Sequence, residues 1–153
     1  MGNSMKQYHL AQINIARAHA PMDAEIMKSF VDRLDEVNAL ADTSPGFIWR
    51  LQTEEGDATA IKAFDDPLLL VNMSVWTSID ALKNFVYKTF HVDLIRDRDA
   101  WFTKMMNVHQ TLWWVPAGHL PSVDEGKKKL DILQKNGPCK AAFTFAKSFE
   151  PGA

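Results

Sequence analysis

The apolar residues of this chain change their spacing along the sequence, and that change restricts the possible folds more than any other feature. Residues 68–76 alternate, with two sets on opposite sides: Leu69, Val71, Met73 and Val75 on one side, and Leu70, Asn72, Ser74 and Trp76 on the other. A repeat of two is typical of a β-strand. Residues 26–41 instead place apolar side chains at helical spacing with charges between them, which predicts an amphipathic helix. The chain therefore combines strands with helices.

Other segments continue this mixture. The same patterns predict further strands at residues 8–16, 47–52, 60–64, 111–115 and 140–146. They predict helices that begin near Asp23, at Thr77 or Ser78, and at a capping box of Ser122 with Glu125, and the second of these helices is predicted to continue to Met106. The order strand, helix, strands, helix, strand is that of the ferredoxin-like split βαβ plan. We predict an α+β fold of this type with an antiparallel sheet, an extra C-terminal helix and strand, and a single domain over residues 5–149.

One face of the predicted sheet needs a cover. If the two helices of the plan lie on one face, the opposite face carries four apolar residues among polar ones: Leu10, Ile48, Leu70 and Trp76. A large apolar face is normally buried, and pairing with the same face of a second copy would bury it. We therefore predict a homodimer in which two sheets form a dimeric α/β barrel.

Composition argues against several classes of function. The chain has 153 residues, with 17 Lys and Arg against 19 Asp and Glu, so it lacks the cationic surface that nucleic-acid binding needs. The longest apolar run, residues 68–71, is far shorter than the roughly 20 residues of a membrane span. A lone cysteine, Cys139, and an N-terminus without an apolar leader predict a cytoplasmic protein. No motif for a phosphate loop, a zinc protease or a serine hydrolase is present, and we predict no metal site.

The segment after Phe90 holds the best candidates for catalysis. If the helix continues, His91 and Arg98 fall on its apolar stripe. An isolated buried charge is very costly, so an arginine in such a stripe must pair or bind an anion. Seven residues of helix separate the two by roughly 10 Å along one line, which suits the two ends of a small ligand. We predict His91 as the proton-transfer group and Arg98 as the anion anchor. The alternative is that Arg98 pairs with an internal carboxylate or a helix C-terminus and His91 is a cap.

Further residues are predicted to bind the substrate. Tyr87 lies one turn before His91, and Asn72 belongs to a polar cluster on the sheet: Gln12, Asn14, Arg50, Gln52, Asn72 and Ser74. His119 lies on a rigid turn at residues 116–121, where functional residues often gather. Three tryptophans would shape the cavity for a flat ligand: Trp49, Trp76 and Trp101. Each assignment has an ordinary alternative, namely a helix-face boundary for Tyr87, an interface network for the polar cluster, a surface role for His119, and packing for the tryptophans.

Several stretches resemble one bacterial family. They are similar to the domain-of-unknown-function family numbered three-two-nine-one. The stretches that carry this resemblance are residues 37–50, 72–76, 85–87 with His91, Arg98 with 101–102, and 113–119. The resemblance implies a dimeric α/β barrel related in fold to antibiotic-biosynthesis and haem-degrading monooxygenases. Those relatives have an asparagine, a tryptophan and a histidine at positions that resemble Asn14, Trp76 and His91 here. In the haem-degrading members that histidine binds iron, but here the interval from Trp76 to His91 is longer and Arg98 departs from their pattern.

These observations predict a protein that binds a small, planar or acidic molecule between the sheet and the helices. Its predicted activity is that of a cofactor-light monooxygenase or a related enzyme, and no cofactor is predicted. One alternative is a non-catalytic ligand-binding or stress-associated dimeric module, and another is a haem-binding protein. A dimerisation scaffold without a pocket is the third.

Overall fold

A computed structural model describes residues 7–20, 24–51, 69–90, 102–103 and 110–151. Five strands and three α-helices follow one another in this part of the chain: β1 (Tyr8–Ala18), α1 (Lys28–Thr43), β2 (Phe47–Arg50), β3 (Leu69–Trp76), α2 (Ile79–Phe90), β4 (Phe102–Thr103), β5 (Gln110–Pro116) and α3 (Val123–Asn136). A short 3-10 turn, Glu25–Met27, precedes α1. None of the helices within these ranges is both long enough and apolar enough to cross a membrane.

The strands form one antiparallel sheet with β1 at its centre. On one side β1 pairs with β3, which in turn pairs with β2. On the other side the two ends of β1 pair with different strands, β5 along most of its length and β4 at residues Arg17 and Ala18. With β4 and β5 taken as one interrupted strand, this is the strand order of the ferredoxin-like split βαβ fold. The predicted α+β fold class is confirmed.

Local sequence signals set the helix ends. The hydroxyl of Ser78 accepts a hydrogen bond from the backbone N–H of Ala81 at 3.0 Å, and that of Ser122 accepts one from the N–H of Glu125 at 3.1 Å. Both serines therefore cap their helices as predicted. Gly46 has a positive φ of 83° in the turn between α1 and β2, a conformation that glycine adopts without steric cost.

Two predicted elements differ from those observed. The helix predicted to reach Met106 is wrong at its end, because Phe102 and Thr103 pair as β4 with β1. Two residues are too few to show an alternating pattern, so the pairing that makes them a strand is not visible in the sequence. At residues 140–146 only one bridge to β5 forms, in which Leu112 and Phe143 exchange two backbone hydrogen bonds of 2.8 Å. The predicted strand at 60–64 lies outside the described residues.

Helices cover both faces of the sheet. We call the side packed on α1 and α2 the helix-pair face; its cluster includes Leu10, Trp76, Leu112 and Phe143 with Ala41 of α1 and Leu82 of α2. The α3 face carries a second cluster: Ala11, Ile13, Ile15, Val71, Met73, Val75, Trp113 and Val115 with Leu130 of α3. The alternation predicted for β1 and β3 thus places each set of residues on its own face.

The covering helix α3 affects the prediction of a dimer. Leu10 and Trp76 were expected to face a partner sheet, yet both are fully buried within one chain against α1 and α2. Gly126 of α3 approaches the opposite face closely, since a Cβ there would lie 2.8 Å from Ile13 Cδ1. The face of Leu10 and Trp76 is therefore covered by α1 and α2, and α3 covers the other face, so the apolar-face argument for a dimer does not hold. The homodimer itself stays a prediction.

Candidate functional site

Several polar residues interrupt the apolar packing on the helix-pair face. We call four of them the polar strip: Gln12 and Asn14 of β1, and Asn72 and Ser74 of β3. Arg50 of β2 lies on the same face, opposite Ser74. Gln12 lies directly opposite Ser74, and Asn14 opposite Asn72. Towards the Trp76 end of β3 the strip meets the cluster of Leu10 and Leu82, and towards the other end it meets a cluster of Ala18, Met27 and Phe30 with Leu70. The strip is therefore a polar gap between two apolar clusters.

Hydrogen bonds connect the strip from the surface to the core. Gln12 Nε2 donates to Asn72 Oδ1 at 2.7 Å and to Ser74 Oγ at 2.9 Å. Trp76 Nε1 donates to the same serine oxygen at 2.8 Å. Asn72 is exposed, whereas Gln12 is only 2% exposed and Trp76 is fully buried. The convergence of polar side chains predicted for this face is thus observed for Gln12, Asn72 and Ser74.

One atom of the strip lacks a partner. Gln12 Oε1 is buried, and among the residues that the structure describes it accepts no hydrogen bond. Reversing the amide would leave two unpaired N–H groups instead of one carbonyl oxygen, and buried N–H groups are orphaned more rarely. A buried acceptor without a donor costs about 1–3 kcal/mol. The arrangement is therefore explained best if a water or ligand donates to Gln12 Oε1.

Trp76 is a wall of the strip. Its ring stacks on Phe85 with centroids 5.1 Å apart and meets the edge of Phe47 at 5.4 Å. Trp49, predicted to share a cavity with Trp76, instead packs on the α3 face in line with Val75. The structure therefore brings Asn72 and Trp76 together through Ser74 and does not bring Trp49 to them.

His119 belongs to a separate polar group beside the start of α3. His119 Nε2 lies 2.7 Å from Glu125 Oε1, and Trp113 Nε1 donates to Glu125 Oε2 at 3.0 Å. Burial raises the pKa of Glu125, but the hydrogen bonds with His119 and Trp113, together with the positive charges of His119 and Lys129, outweigh it and hold that pKa below its ordinary value of 4.5. Because Trp113 lies on the α3 face, His119 is not at the polar strip.

The remaining predicted site residues are not tested by the structure. His91, Arg98 and Trp101 lie outside the described residues, and for Tyr87 the structure describes only its place near the C-terminal end of α2. Their roles stay predictions, as does the haem alternative that depends on His91. Among the described residues no group of three or more His, Cys, Asp or Glu side chains is placed to hold a metal ion.

Glu125→Gln is expected to make the protein less sensitive to acid. A group with a lowered pKa adds stability that is present above its unfolded pKa and lost as the pH falls through its folded pKa. The wild type should therefore lose stability as the pH falls below about 4.5. Glutamine still accepts a hydrogen bond from Trp113 but carries no charge. The variant should therefore lose less stability on acidification than the wild type, with a difference under about 1 kcal/mol because Glu125 is only partly buried.

Urea unfolding at a series of pH values between neutral and about pH 3 measures this difference. Asp131→Asn is the matched control, because Asp131 forms an exposed ion pair with Lys135 on the same helix. Equal acid sensitivity in Glu125→Gln and the wild type would show that the group around His119 does not hold Glu125 in its charged form.

The chain is similar to one described family and to proteins of known structure. The family described as Domain of unknown function (DUF3291) matches residues 9–153. Among curated proteins, none matches the chain. One similar solved structure is SnoaB, a cofactor-independent oxygenase from Streptomyces nogalater, with 20% identity, a TM-score of 0.47, and coverage of 74% of this chain and 98% of that one. Another is the NE2512 protein of unknown function from Nitrosomonas europaea, with 12% identity, a TM-score of 0.49, and coverage of 76% and 98%. Because the family match spans nearly the whole sequence, the chain belongs to the DUF3291 family.

Proposed function

We propose that this protein binds a small molecule at the polar strip. The observation that carries the proposal is the buried, unpaired Gln12 Oε1 in a polar segment that lies between two apolar clusters. Ligand sites are typically apolar surfaces with a few convergent polar groups. The strip has this composition, because Trp76 and the two clusters supply apolar side chains while Gln12 and Ser74 supply the polar groups. Asn72, at the exposed end, is where a ligand would enter.

The chain direction supports a role for His91 at the same site. In a split βαβ fold α2 runs antiparallel to β3, and its 12 residues rise about 1.5 Å each. The helix therefore runs from the Trp76 end of β3 back towards its Asn72 end. His91 is the next residue in the sequence after α2. Nearness of its imidazole to the ligand is part of the proposal.

The activity we propose is a cofactor-light oxidation of the bound molecule. In such a reaction the substrate itself must supply electrons to oxygen after it loses a proton. An imidazole with an ordinary pKa near 6.5 suits the removal of that proton, so His91 is proposed as the base. Arg98 would hold an anionic group of the substrate with two parallel hydrogen bonds. A ligand-binding module without catalysis would use the same strip.

A fragment screen by NMR tests the binding site. Neutral aromatic fragments that bind are expected to shift the indole N–H signal of Trp76 and the side-chain amide signals of Gln12 together. The indole N–H of Trp113 is the internal control, because it is held by Glu125 on the α3 face. Fragments that shift Trp113 and leave Trp76 and Gln12 unchanged would show that the protein binds small molecules elsewhere. A screen without any shift at Gln12 would contradict the proposal.

One variant of His91 distinguishes a role in catalysis from a role in binding. For a fragment whose oxidation consumes oxygen, His91→Ala is expected to abolish oxygen uptake while the Kd measured from the Gln12 signals stays the same. Equal oxygen uptake by the variant and the wild type would remove His91 from the mechanism.

A further inference from the structure

We infer that the polar strip recognises a neutral hydroxyl group carried on an apolar, ring-sized body. The hydroxyl would donate its proton to Gln12 Oε1 and accept the proton of Ser74 Oγ. This inference rests on the proposed function, since it names the class of ligand that the same site takes. It is drawn from the number of protons and lone pairs that the strip leaves unused.

The protons of Gln12 are fully used. A glutamine amide carries two N–H protons, and Gln12 Nε2 donates to two acceptors, Asn72 Oδ1 and Ser74 Oγ. Only its carbonyl oxygen is left, and no described residue donates to it. The amide therefore presents one vacant acceptor and no donor.

The oxygen of Ser74 has the opposite requirement, because its lone pairs are used and its proton is not. A hydroxyl accepts through two lone pairs, and Ser74 Oγ accepts from Gln12 Nε2 and from Trp76 Nε1. An indole N–H is a donor only, so the direction of the second bond is fixed. The serine must therefore give its own proton to another group, and the bonds within the described part of the chain provide no acceptor for it.

A hydroxyl group fits both requirements with a single atom. Gln12 Nε2 and Ser74 Oγ are 2.9 Å apart, so the two side chains lie side by side. A carboxylate accepts but does not donate, so it would be repelled by Gln12 Oε1. An ammonium group donates but does not accept, and it would leave the serine proton unplaced. Either charge would also be desolvated beside Gln12 and Ser74, which are 2% and 6% exposed.

The apolar side chains around Gln12 and Ser74 favour an apolar body for the ligand. Trp76 stands two residues from Ser74, with its ring held between Phe47 and Phe85. On the other side the strip ends at the apolar cluster that includes Leu70. An apolar ring bound beside these groups would remove its own apolar surface from water.

Phenol, toluene and benzoate are suitable probes. Toluene has the shape of phenol with a methyl group in place of the hydroxyl, and benzoate carries only acceptors. We expect the wild type to bind phenol about tenfold more tightly than toluene, measured from the Gln12 and Trp76 NMR signals. Benzoate is expected to leave these signals unchanged. In both Gln12→Met and Ser74→Ala the ratio of the two Kd values should approach one.

The control variant is Gln7→Met, which makes the same change at an exposed residue just before β1 and should keep the tenfold ratio. Thermal unfolding of each variant checks that it is folded. If Gln12→Met is not folded, the Kd ratio measured with Ser74→Ala decides the test. Equal binding of phenol and toluene by the wild type would mean that an ordered water alone occupies the subsite, which overturns the inference and leaves the proposed site in place. A ratio that survives in the folded variants, or a benzoate that binds most tightly, also overturns it. So does a failure of all three probes when fragments from the screen still bind at Gln12.

Discussion

Trp76→Ala is expected to lower the free energy of unfolding by about 3–5 kcal/mol, the usual cost of removing a large buried aromatic side chain. The indole is fully buried, stacks on Phe85 and touches the edge of Phe47, so alanine would leave a cavity between β3 and α2. The variant also loses the N–H that donates to Ser74 Oγ. Urea unfolding followed by far-UV circular dichroism measures the change without depending on tryptophan fluorescence.

Two further variants interpret that result. Trp76→Phe keeps an aromatic ring and should cost clearly less than Trp76→Ala. Trp114→Ala removes a tryptophan from the same cluster, but its side chain is half-buried and should cost less as well. A loss below about 1 kcal/mol in Trp76→Ala would be typical of a surface substitution and would contradict the packed cluster that borders the polar strip.

The faces of the sheet follow from the sequence because side-chain direction in a strand has a period of two. Once residues 69–76 are recognised as a strand, Met73 and Ser74 must lie on opposite faces, and the structure shows this. The caps at Ser78 and Ser122 are equally predictable, since each involves residues only three positions apart. Local signals of this kind need no knowledge of distant contacts.

Which element packs on each face of the sheet is not predictable in the same way. Helix α3 is amphipathic in the sequence, but no local signal indicates that Leu130 and Gly126 pack on Ile13 and Met73, which are distant in the sequence. A partner sheet was predicted for the face of Leu10 and Trp76, but α1 and α2 cover that face and α3 covers the other. Only the long-range packing of the chain decides which element covers each face.

The separation of Trp49 from Trp76 has a specific structural cause. By simple alternation Phe47 and Trp49 would lie on the same side of β2. An irregularity between them shifts the register, so that Phe47 is opposite Trp76 and Trp49 is opposite Val75. An extra residue in a strand sends the following side chains to the other face. A bulge of this kind leaves no clear mark in the sequence, so the predicted tryptophan cavity included a residue from the wrong side.

The site itself was predictable only as a set of residue types. Alternation places Gln12 and Ser74 on one face, and their convergence follows if β1 pairs with β3. That Gln12 Oε1 accepts no hydrogen bond from a described residue depends on which amide atom meets Asn72 and on the orientation of the Trp76 ring. Those are properties of packed side chains, so Gln12, which carries the proposed function, was one of several equal candidates in the sequence.

Gly46→Ala is expected to lower the free energy of unfolding by about 2–4 kcal/mol through two separate effects. The positive φ of 83° is unfavourable for a residue with a Cβ. The added Cβ would also lie 2.5 Å from Ala81 Cβ and 2.6 Å from Thr77 Oγ1, where neither neighbour is a long flexible side chain. Because Gly46 O accepts from the N–H of Thr77 at 2.8 Å, the strain falls on the junction of β2 with the start of α2.

Gly118→Ala separates the two effects of this substitution. Gly118 has a similar φ of 94°, but a Cβ there would have no neighbour within 4 Å. Its replacement should cost only the backbone term, about 1–2 kcal/mol. The excess loss in Gly46→Ala, measured by urea unfolding of both variants, is then the energy of the overlap with Ala81 and Thr77. Equal losses would mean that α2 moves away from the turn at little cost, and the same movement would loosen the contact of Phe85 with Trp76 beside the polar strip.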